Sequence, residues 1–188
     1  MPTFTASDLK SILSPLKKNW VSEGPETKIF ETNFKNFINV KYATATTSGT
    51  SALFLALCCF KLKPKDEVII PSLTFIANAV KLAGAKPVLA DIDKSTFTIS
   101  LDSIKEKITN KTKGIIPVHL NGRSSDLNEL SEFCKSKNLF LIEDAAQSLG
   151  SKFNKKPLGS FGDASAFSLS PPKIITTGQG GIVVTNKL

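Results

Sequence analysis

The chain has 188 residues, enough for one domain with a buried core, and its 41% hydrophobic content excludes a disordered polymer. A net charge of +8 raises nucleic-acid binding, but the lysines are scattered, no aromatic-interleaved basic strip occurs, and Arg123 is the single arginine, so that class is set aside. No apolar run approaches the ~20 residues needed to span a bilayer, which argues against a membrane protein. The charge is read as a solvated surface that helps to draw in anionic substrates.

The opening residues, MPTFTASDLK, show no charged-then-apolar leader, so a cytoplasmic location is expected. Residues 7–19 carry Leu9, Ile12, Leu13 and Leu16 at helical spacing, with Pro15 expected to end or kink the helix. A loop follows, Trp20–Glu26. Residues 1–26 are read as an N-terminal helix and loop, and 27–188 as the domain proper. A second helix, 27–38, should present Phe30, Phe34, Phe37 and Ile38 on one face.

From there strands and helices alternate. Strand-like runs are Tyr42–Thr47, Glu67–Pro71, Pro87–Ile92, Gly114–Leu120, Phe140–Ala146, Ala164–Ser170 and Gly181–Thr185. Helical runs between them are Thr50–Phe60, Leu73–Ala83, Leu101–Thr109 and Asp126–Ser136, the last after a Ser124-Ser125 capping signal. The expected fold class is α/β: a mixed, mostly parallel seven-stranded sheet with helices on both faces. The last two strands are joined without a helix, which predicts an antiparallel pair there. Thr50–Phe60 is apolar nearly all round, so it is buried within the domain or partly against a second subunit. Cys58, Cys59 and Cys134 read as core thiols in a reducing compartment. With His119 the single histidine and no CxxC, no zinc site is expected.

Four stretches could carry chemistry. Thr46–Ser51 follows a strand and opens a helix, where unpaired N–H groups and the helix dipole suit either a phosphate or a plain helix cap. Glu143-Asp144 puts acids at the C-terminal end of an apolar strand, the edge where open α/β sheets bind ligands. Pro71–Phe75 is a second strand-to-helix turn, and its ring either lies over a flat ligand or joins the core. Ser168 and Lys173 lie five apart at the end of a further strand, before the Gly178–Gly181 turn. Taken singly, Lys173 is a solvated loop lysine. Taken together, a phosphate cup, a carboxylate, a stacking ring and a lysine are what pyridoxal 5'-phosphate requires. The lysine bonds to it, and the acid keeps the pyridine nitrogen protonated so that the ring can take up carbanion electrons.

The motifs TSGTSAL (47–53), DEVIIPSLTF (66–75), GAKPVLADID (84–93), IIPVHLNG (115–122), IEDAAQSLGS (142–151) and GDASAFSLSPPKIITTGQGG (162–181) resemble the DegT/DnrJ family of nucleotide-sugar aminotransferases, within the aspartate-aminotransferase fold (fold type I). The resemblance runs from about Gly24 to the end. It implies that residues 27–188 form a pyridoxal-phosphate-binding large domain. It implies that Lys173 is the catalytic residue, bonding the cofactor and then carrying the proton. Asp144 would pair with the pyridine nitrogen, Gln147 contact the ring hydroxyl and Phe75 stack on the ring. Thr50, Ser51 and Ser168 would hold the phosphate, with Gly49 allowing close backbone approach. Relatives with histidine in place of the lysine act as dehydratases, so lysine here favours transamination. The implied reaction moves an amino group, by family habit from L-glutamate, to a keto carbon of a nucleotide-linked deoxysugar. IITTGQGG and VHLNGR look closest to perosamine-type 4-aminases, which act in surface-polysaccharide biosynthesis.

Family members continue for about as long again, adding a small C-terminal domain and residues that complete the neighbouring subunit's site in a homodimer. The sequence stops at Leu188, so a truncated or split protein is expected, with the small domain absent. The alternative is a non-catalytic or regulatory relative that binds the cofactor at most.

Overall fold

A computed structural model describes residues 3–20 and 22–187; Met1, Pro2, Val21 and Leu188, which close the expected loop and chain ends, lie outside the described residues. Seven strands form one sheet: β1 (Tyr42–Thr46), β2 (Glu67–Pro71), β3 (Lys86–Ala90), β4 (Thr112–Ile115), β5 (Phe140–Asp144), β8 (Ala164–Ser168) and β9 (Gly181–Thr185). Their order is β1-β9-β8-β5-β4-β2-β3. Every neighbouring pair is parallel except the two that involve β9, which runs against both β8 and β1. The expected reversal at the last two strands is present. The short hairpin β6 (Lys152–Phe153) and β7 (Lys156–Pro157) has no counterpart in the sequence reading, because two-residue strands leave no periodicity to see.

Side chains along a strand alternate between faces, and the core divides accordingly. Val68, Ile70, Ile116, Ile142 and Ala166 pack beneath helices α3 (Gly49–Cys58) and α4 (Ala77–Leu82). Ile69, Ile115 and Leu141 meet α5 (Leu101–Lys107) and α6 (Leu127–Ser136) through Ile104, Leu127, Leu130 and Cys134. Helix α2 (Pro25–Ile38) covers the β8–β9 end with Phe34 and Ile38, and the Phe34 ring meets Phe167 edge-on at 5.0 Å. Helices therefore cover both faces, as a mostly parallel sheet requires.

Several expectations need correction. Pro15 sits inside α1 (Ala6–Lys17), and the helix runs two residues past it; so close to the C-terminus only one backbone bond is forfeited. Helix α4 starts at Ala77 and not Leu73, because Ser72 N–H bonds Ala90 O and the Thr74 hydroxyl accepts from Ile76 N–H, holding 72–76 as a turn. Strand β4 ends at Ile115; in 116–119 only Val118 makes a bridge, to Asp144, and Leu120–Gly122 is a 3-10 turn. Helix α6 is capped by Asp126, whose carboxylate accepts from Asn128 and Glu129 N–H, and not by Ser124-Ser125. Phe37 points away from the α2 core face and is exposed. Cys58 and Cys59 are exposed; of the three thiols, Cys134 alone is buried, and burial with Asp163 nearby pushes it up to about 12.

One buried carboxylate–imidazole contact ties the second face together. Glu143 and His119 are both fully buried, with Nε2 and Oε2 2.8 Å apart. Glu143 also accepts from the N–H groups of Gly159, Phe161 and Gly162 and from the Ser165 hydroxyl. Burial alone would raise its pKa, but the His119 contact and the Gly162 and Gly159 donors outweigh it and hold the carboxyl below its usual value of 4.5. Stability from this group is therefore complete above pH 4.5 and is lost as the pH falls through its lowered folded value. Glu143→Ala should lower the unfolding free energy by about 3–5 kcal/mol, since it strands several buried donors. Urea unfolding at pH 7 measures this, and the gap from the wild type should narrow in acid.

Candidate functional site

The C-terminal ends of the parallel strands open into a cleft of about 350 Å³ on the α3/α4 face. Asp144 reaches it by strand parity: it is the last residue of β5 and shares its face with Ile142, whereas Glu143 turns to the other side. Val118 is paired with it in register across the neighbouring chain segment and also lines the cleft.

The α3 turn supplies the second wall. Ser48 caps the helix by accepting from Ser51 N–H, and the N–H groups of Gly49 and Thr50 occupy the first two helical positions, which have no acceptor within a helix. They add to the positive end of the helix dipole, a ready site for an anion. Gly49 is required here: a Cβ would lie 2.8 Å from Ser168 Cβ, so β8 and α3 touch with no room for a side chain.

Lys173 sits half-buried in the loop between β8 and β9. That loop is closed at its base, where Leu169 N–H bonds Gly180 O and Thr177 N–H bonds Leu169 O. Gly178 turns it with φ +80°, in the left-handed region that favours glycine. Lys173 N–H bonds Ser170 O, which fixes the start of the turn.

The cleft thus brings together Gly49, Thr50, Phe75, Asp144, Gln147, Ser168 and Lys173. Ser51 is not among its lining residues. Its hydroxyl lies 3.0 Å from Thr47 Oγ1 and 2.9 Å from Ser48 Oγ, inside the cap. Phe75 stands at the lip with 99% of its surface exposed, packed on nothing. Gln147 Oε1 accepts from Asn121 N–H at 3.3 Å, tying it to the 3-10 turn, and Ser168 Oγ lies 3.1 Å from Ser170 Oγ. Ser48, Leu73, Val118, Leu120 and Gln179 also line the cleft, and the sequence assigns none of them an individual role. Val118 and Leu120 fall within the VHLNGR motif, and the pairing with Asp144 would have marked Val118. No cluster of histidine, cysteine and acidic residues that could hold a metal ion occurs among the described residues.

Asp144 is 6% exposed, and one carboxylate oxygen accepts from Ala146 N–H at 3.0 Å. Burial raises its pKa above 3.8, against the opposing pull of that N–H, His119 and Lys173. A buried acid with so little local compensation, aimed into a cleft that also holds a lysine, is arranged to meet a cation brought from outside.

Comparison with known proteins gives a concordant result. The model of the DegT/DnrJ/EryC1/StrS aminotransferase family matches residues 2–187. GDP-perosamine synthase of Escherichia coli O157:H7 is 45% identical over 98% of this chain and 52% of its own length. The X-ray structure of the aminotransferase from Psychrobacter cryohalolentis matches with a TM-score of 0.96 and 39% identity, covering 99% of this chain and 48% of that one. The E. coli GDP-4-keto-6-deoxy-D-mannose-3-dehydratase, solved with bound hydrated PLP, matches with a TM-score of 0.94 and 31% identity, covering all of this chain and 50% of that one. The chain spans about half the length of the curated relatives it matches.

The raised pKa of Asp144 carries a stability consequence. The folded chain holds the proton more tightly than the unfolded one, so this group makes stability fall as the pH rises from 3.8 through the raised folded value. Asp144→Asn, which keeps the acceptor for Ala146 N–H, should therefore melt higher than the cofactor-free wild type at pH 7. The difference should shrink towards pH 4, as followed by thermal unfolding across that range.

Proposed function

The chain belongs to the DegT/DnrJ/EryC1/StrS aminotransferase family, and from that premise we propose that its cleft is the cofactor-binding part of a pyridoxal-phosphate-dependent sugar aminotransferase. The reaction moves an amino group, with L-glutamate as donor, to a keto carbon of a nucleotide-linked deoxysugar, as in 4-amino-sugar formation for surface polysaccharide. The observation that carries this reading is that Lys173 and Asp144, far apart in sequence, line one cleft together with an anion-ready helix start.

The residues present fit the cofactor. The Gly49–Ser168 contact forms a close cradle, and the α3 start offers N–H donors to a phosphate. When bound, pyridoxal phosphate supplies a ring that accepts the electron pair left as a proton departs from the amino donor. Lys173 would hold the cofactor covalently and would then carry that proton. Asp144 would pair with the pyridine nitrogen, whose charge would relieve the cost of burying the carboxylate. Gln147 would contact the ring hydroxyl. Phe75, whose ring is bare at the lip, would cover the ring plane. Thr50 and Ser168 would hold the phosphate, and Ser51, whose hydroxyl lies in the cap, would join them by turning out of it.

The cellular setting is part of the same reading. No helix among the described residues is long and apolar enough to cross a membrane. We place the protein in the cytoplasm, where nucleotide sugars are made and exposed thiols such as Cys58 and Cys59 stay reduced. A homodimer is supported by α3, which buries Ala52, Leu53, Ala56 and Leu57 but leaves Phe54 and Leu55 exposed. A second reading, a unit that binds the cofactor without turning over, is favoured by the half-length match to the relatives and by the open lip at Phe75.

Adding pyridoxal phosphate to the purified chain should give the absorbance band of lysine-bound cofactor, and Lys173→Ala should abolish it. A band that survives this substitution sinks the proposal. L-Glutamate should then bleach the band and release 2-oxoglutarate, and a ketosugar nucleotide should restore it. A band without these steps selects the second reading. Phe75→Ala should weaken cofactor retention about fivefold, in line with ~1 kcal/mol for an aromatic stack.

A further inference from the structure

The lysines that look scattered along the chain are gathered by the fold. In a parallel sheet each crossover helix ends at the edge where the next strand begins, which is the edge opposite the cofactor cleft. Strands β1, β2, β3, β4, β5 and β8 start at that edge, and β9, which runs the other way, ends there. The last helical turns, the connections into these strands with their first two residues, and the tail after β9 together carry fourteen lysines and four acids. The whole chain has a net charge of +8, so this edge holds all of the excess and the remainder is slightly acidic.

The positive charge is not neutralised from within. Asp66 accepts from Lys63 N–H, Glu67 is paired with Lys86 and accepts from the Thr109 hydroxyl, and Asp163 is paired with Lys187 and accepts from Leu141 N–H. Lys86, Lys105 and Lys187 are the lysines of this edge that meet a carboxylate; among the described residues the other eleven have none within 4 Å. Helix dipoles account for Lys35, Lys81, Lys105, Lys107 and Lys135 in the last turns. They do not account for Lys63, Lys65, Lys111 and Lys113, which lie beyond the helices. Lys61, Lys113 and Lys187 line one recess of about 470 Å³, so cations from three connections are held on one surface. Like charges kept together in this way repel one another until an anionic body meets them.

The shape and the residue types select that body. Seven strand ends at ~4.8 Å spacing spread over about 29 Å. Lys61 and Lys81 flank the sheet on the α3/α4 face, and Lys107 and Lys135 on the α5/α6 face, so the charge covers an area and not a strip. A nucleic acid is a weaker fit, because the patch has no arginine to grip phosphates or read bases; Arg123, the single one, lies after the 3-10 turn, against Phe97. An acidic protein is weaker too, because protein interfaces are built round an apolar centre. Here exposed Phe37 and Tyr42 stand at the β1 end of the sheet and exposed Leu82 at the β3 end. Lysine point charges over a broad face, with apolar side chains at its margins, match the headgroup layer of an anionic bilayer.

We propose that the edge where the parallel strands begin is a docking surface for an anionic lipid bilayer, holding the chain peripherally with the cofactor cleft turned away from the membrane. The proposal goes beyond the proposed activity and stands without it.

Cosedimentation of the 188-residue chain with vesicles of phosphatidylglycerol and phosphatidylcholine tests this. The chain should bind them in ~0.05 M salt, release in ~0.5 M salt, and ignore vesicles of phosphatidylcholine alone. Lys63→Gln, Lys65→Gln and Lys111→Gln together should weaken binding about a hundredfold, at ~fivefold for each lysine. Lys94→Gln, Lys152→Gln and Lys155→Gln remove the same charge elsewhere and should leave binding unchanged. Both triple variants should melt as the unaltered chain does, because the side chains removed are exposed and unpaired. If the first set does not fold, Lys41→Gln, Lys61→Gln and Lys137→Gln, drawn from three connections, should show the same loss. The proposal is overturned if the chain ignores the anionic vesicles, if it binds both kinds of vesicle alike, or if the second triple variant loses as much as the first. It is equally overturned by tighter binding to a DNA or RNA oligonucleotide than to the vesicles, which assigns the edge to a nucleic acid, or to polyglutamate, which assigns it to an acidic protein. If neither edge variant folds, these lysines serve the fold and the proposal fails.

Discussion

The end of β5 holds two consecutive carboxylates out of water, and much of the molecule is arranged around that constraint. An isolated buried carboxylate is strongly disfavoured, so each must be compensated or shift its titration. Strand parity sends the two in opposite directions. Glu143 turns to the α5/α6 face and is met by His119, three backbone N–H groups and a hydroxyl. Asp144 turns to the cleft and receives one N–H. The first is held ionised by the fold. The second is left short of partners, and its proton affinity rises. One strand thus separates an acid tied into the fold from one that faces the cleft by a single peptide unit.

The Glu143 network also decides where the lysine can be. The donors it gathers belong to residues 159–165, the segment that enters β8. Strand β8 in turn delivers Ser168 against Gly49 and hands the chain to the stapled loop that carries Lys173. A Cβ on Gly181 would fall 2.3 Å from Ser48 O, so β9 closes on the same turn from the other side. The α3 cap, β8 and β9 meet without intervening side chains. Positions at one point in this cluster are consequently transmitted to the cleft with little slack.

The architecture could be read from the sequence because it is periodic. Strands β2 and β9 fall at the expected residues, and α6 within one residue of its expected span, because uninterrupted apolar runs and helical spacing are local signals. What could not be read is set by partners distant in the chain. Nothing near Cys58 and Cys59 says that the end of α3 emerges from the core. Nothing near Leu73 says that Ser72 will bond across to Ala90 and delay α4. The resemblance implies a phosphate role for Ser51, and nothing near it in sequence says that its hydroxyl will lie against those of Thr47 and Ser48. His119 attracted attention only as a missing zinc ligand, since its partner lies on another strand and the pairing has no motif. The candidate site fared better than its details, because Lys173, Asp144, Gly49 and Ser168 each sit where a strand ends, and strand ends of a parallel sheet share one edge.

The distribution of apolar surface fits a unit that holds a ligand well before it can enclose one. The floor of the cleft is rigid: a buried acid, a capped helix start and a loop fixed at its base. Its rim is not closed, since Phe75 is bare and Leu73, which also lines it, is exposed. Aromatic and aliphatic side chains around a polar floor in open water gain little from each other, and they exclude water only when a further surface meets them. The floor is thus the built part of the cleft, and the rim at Phe75 is its open part.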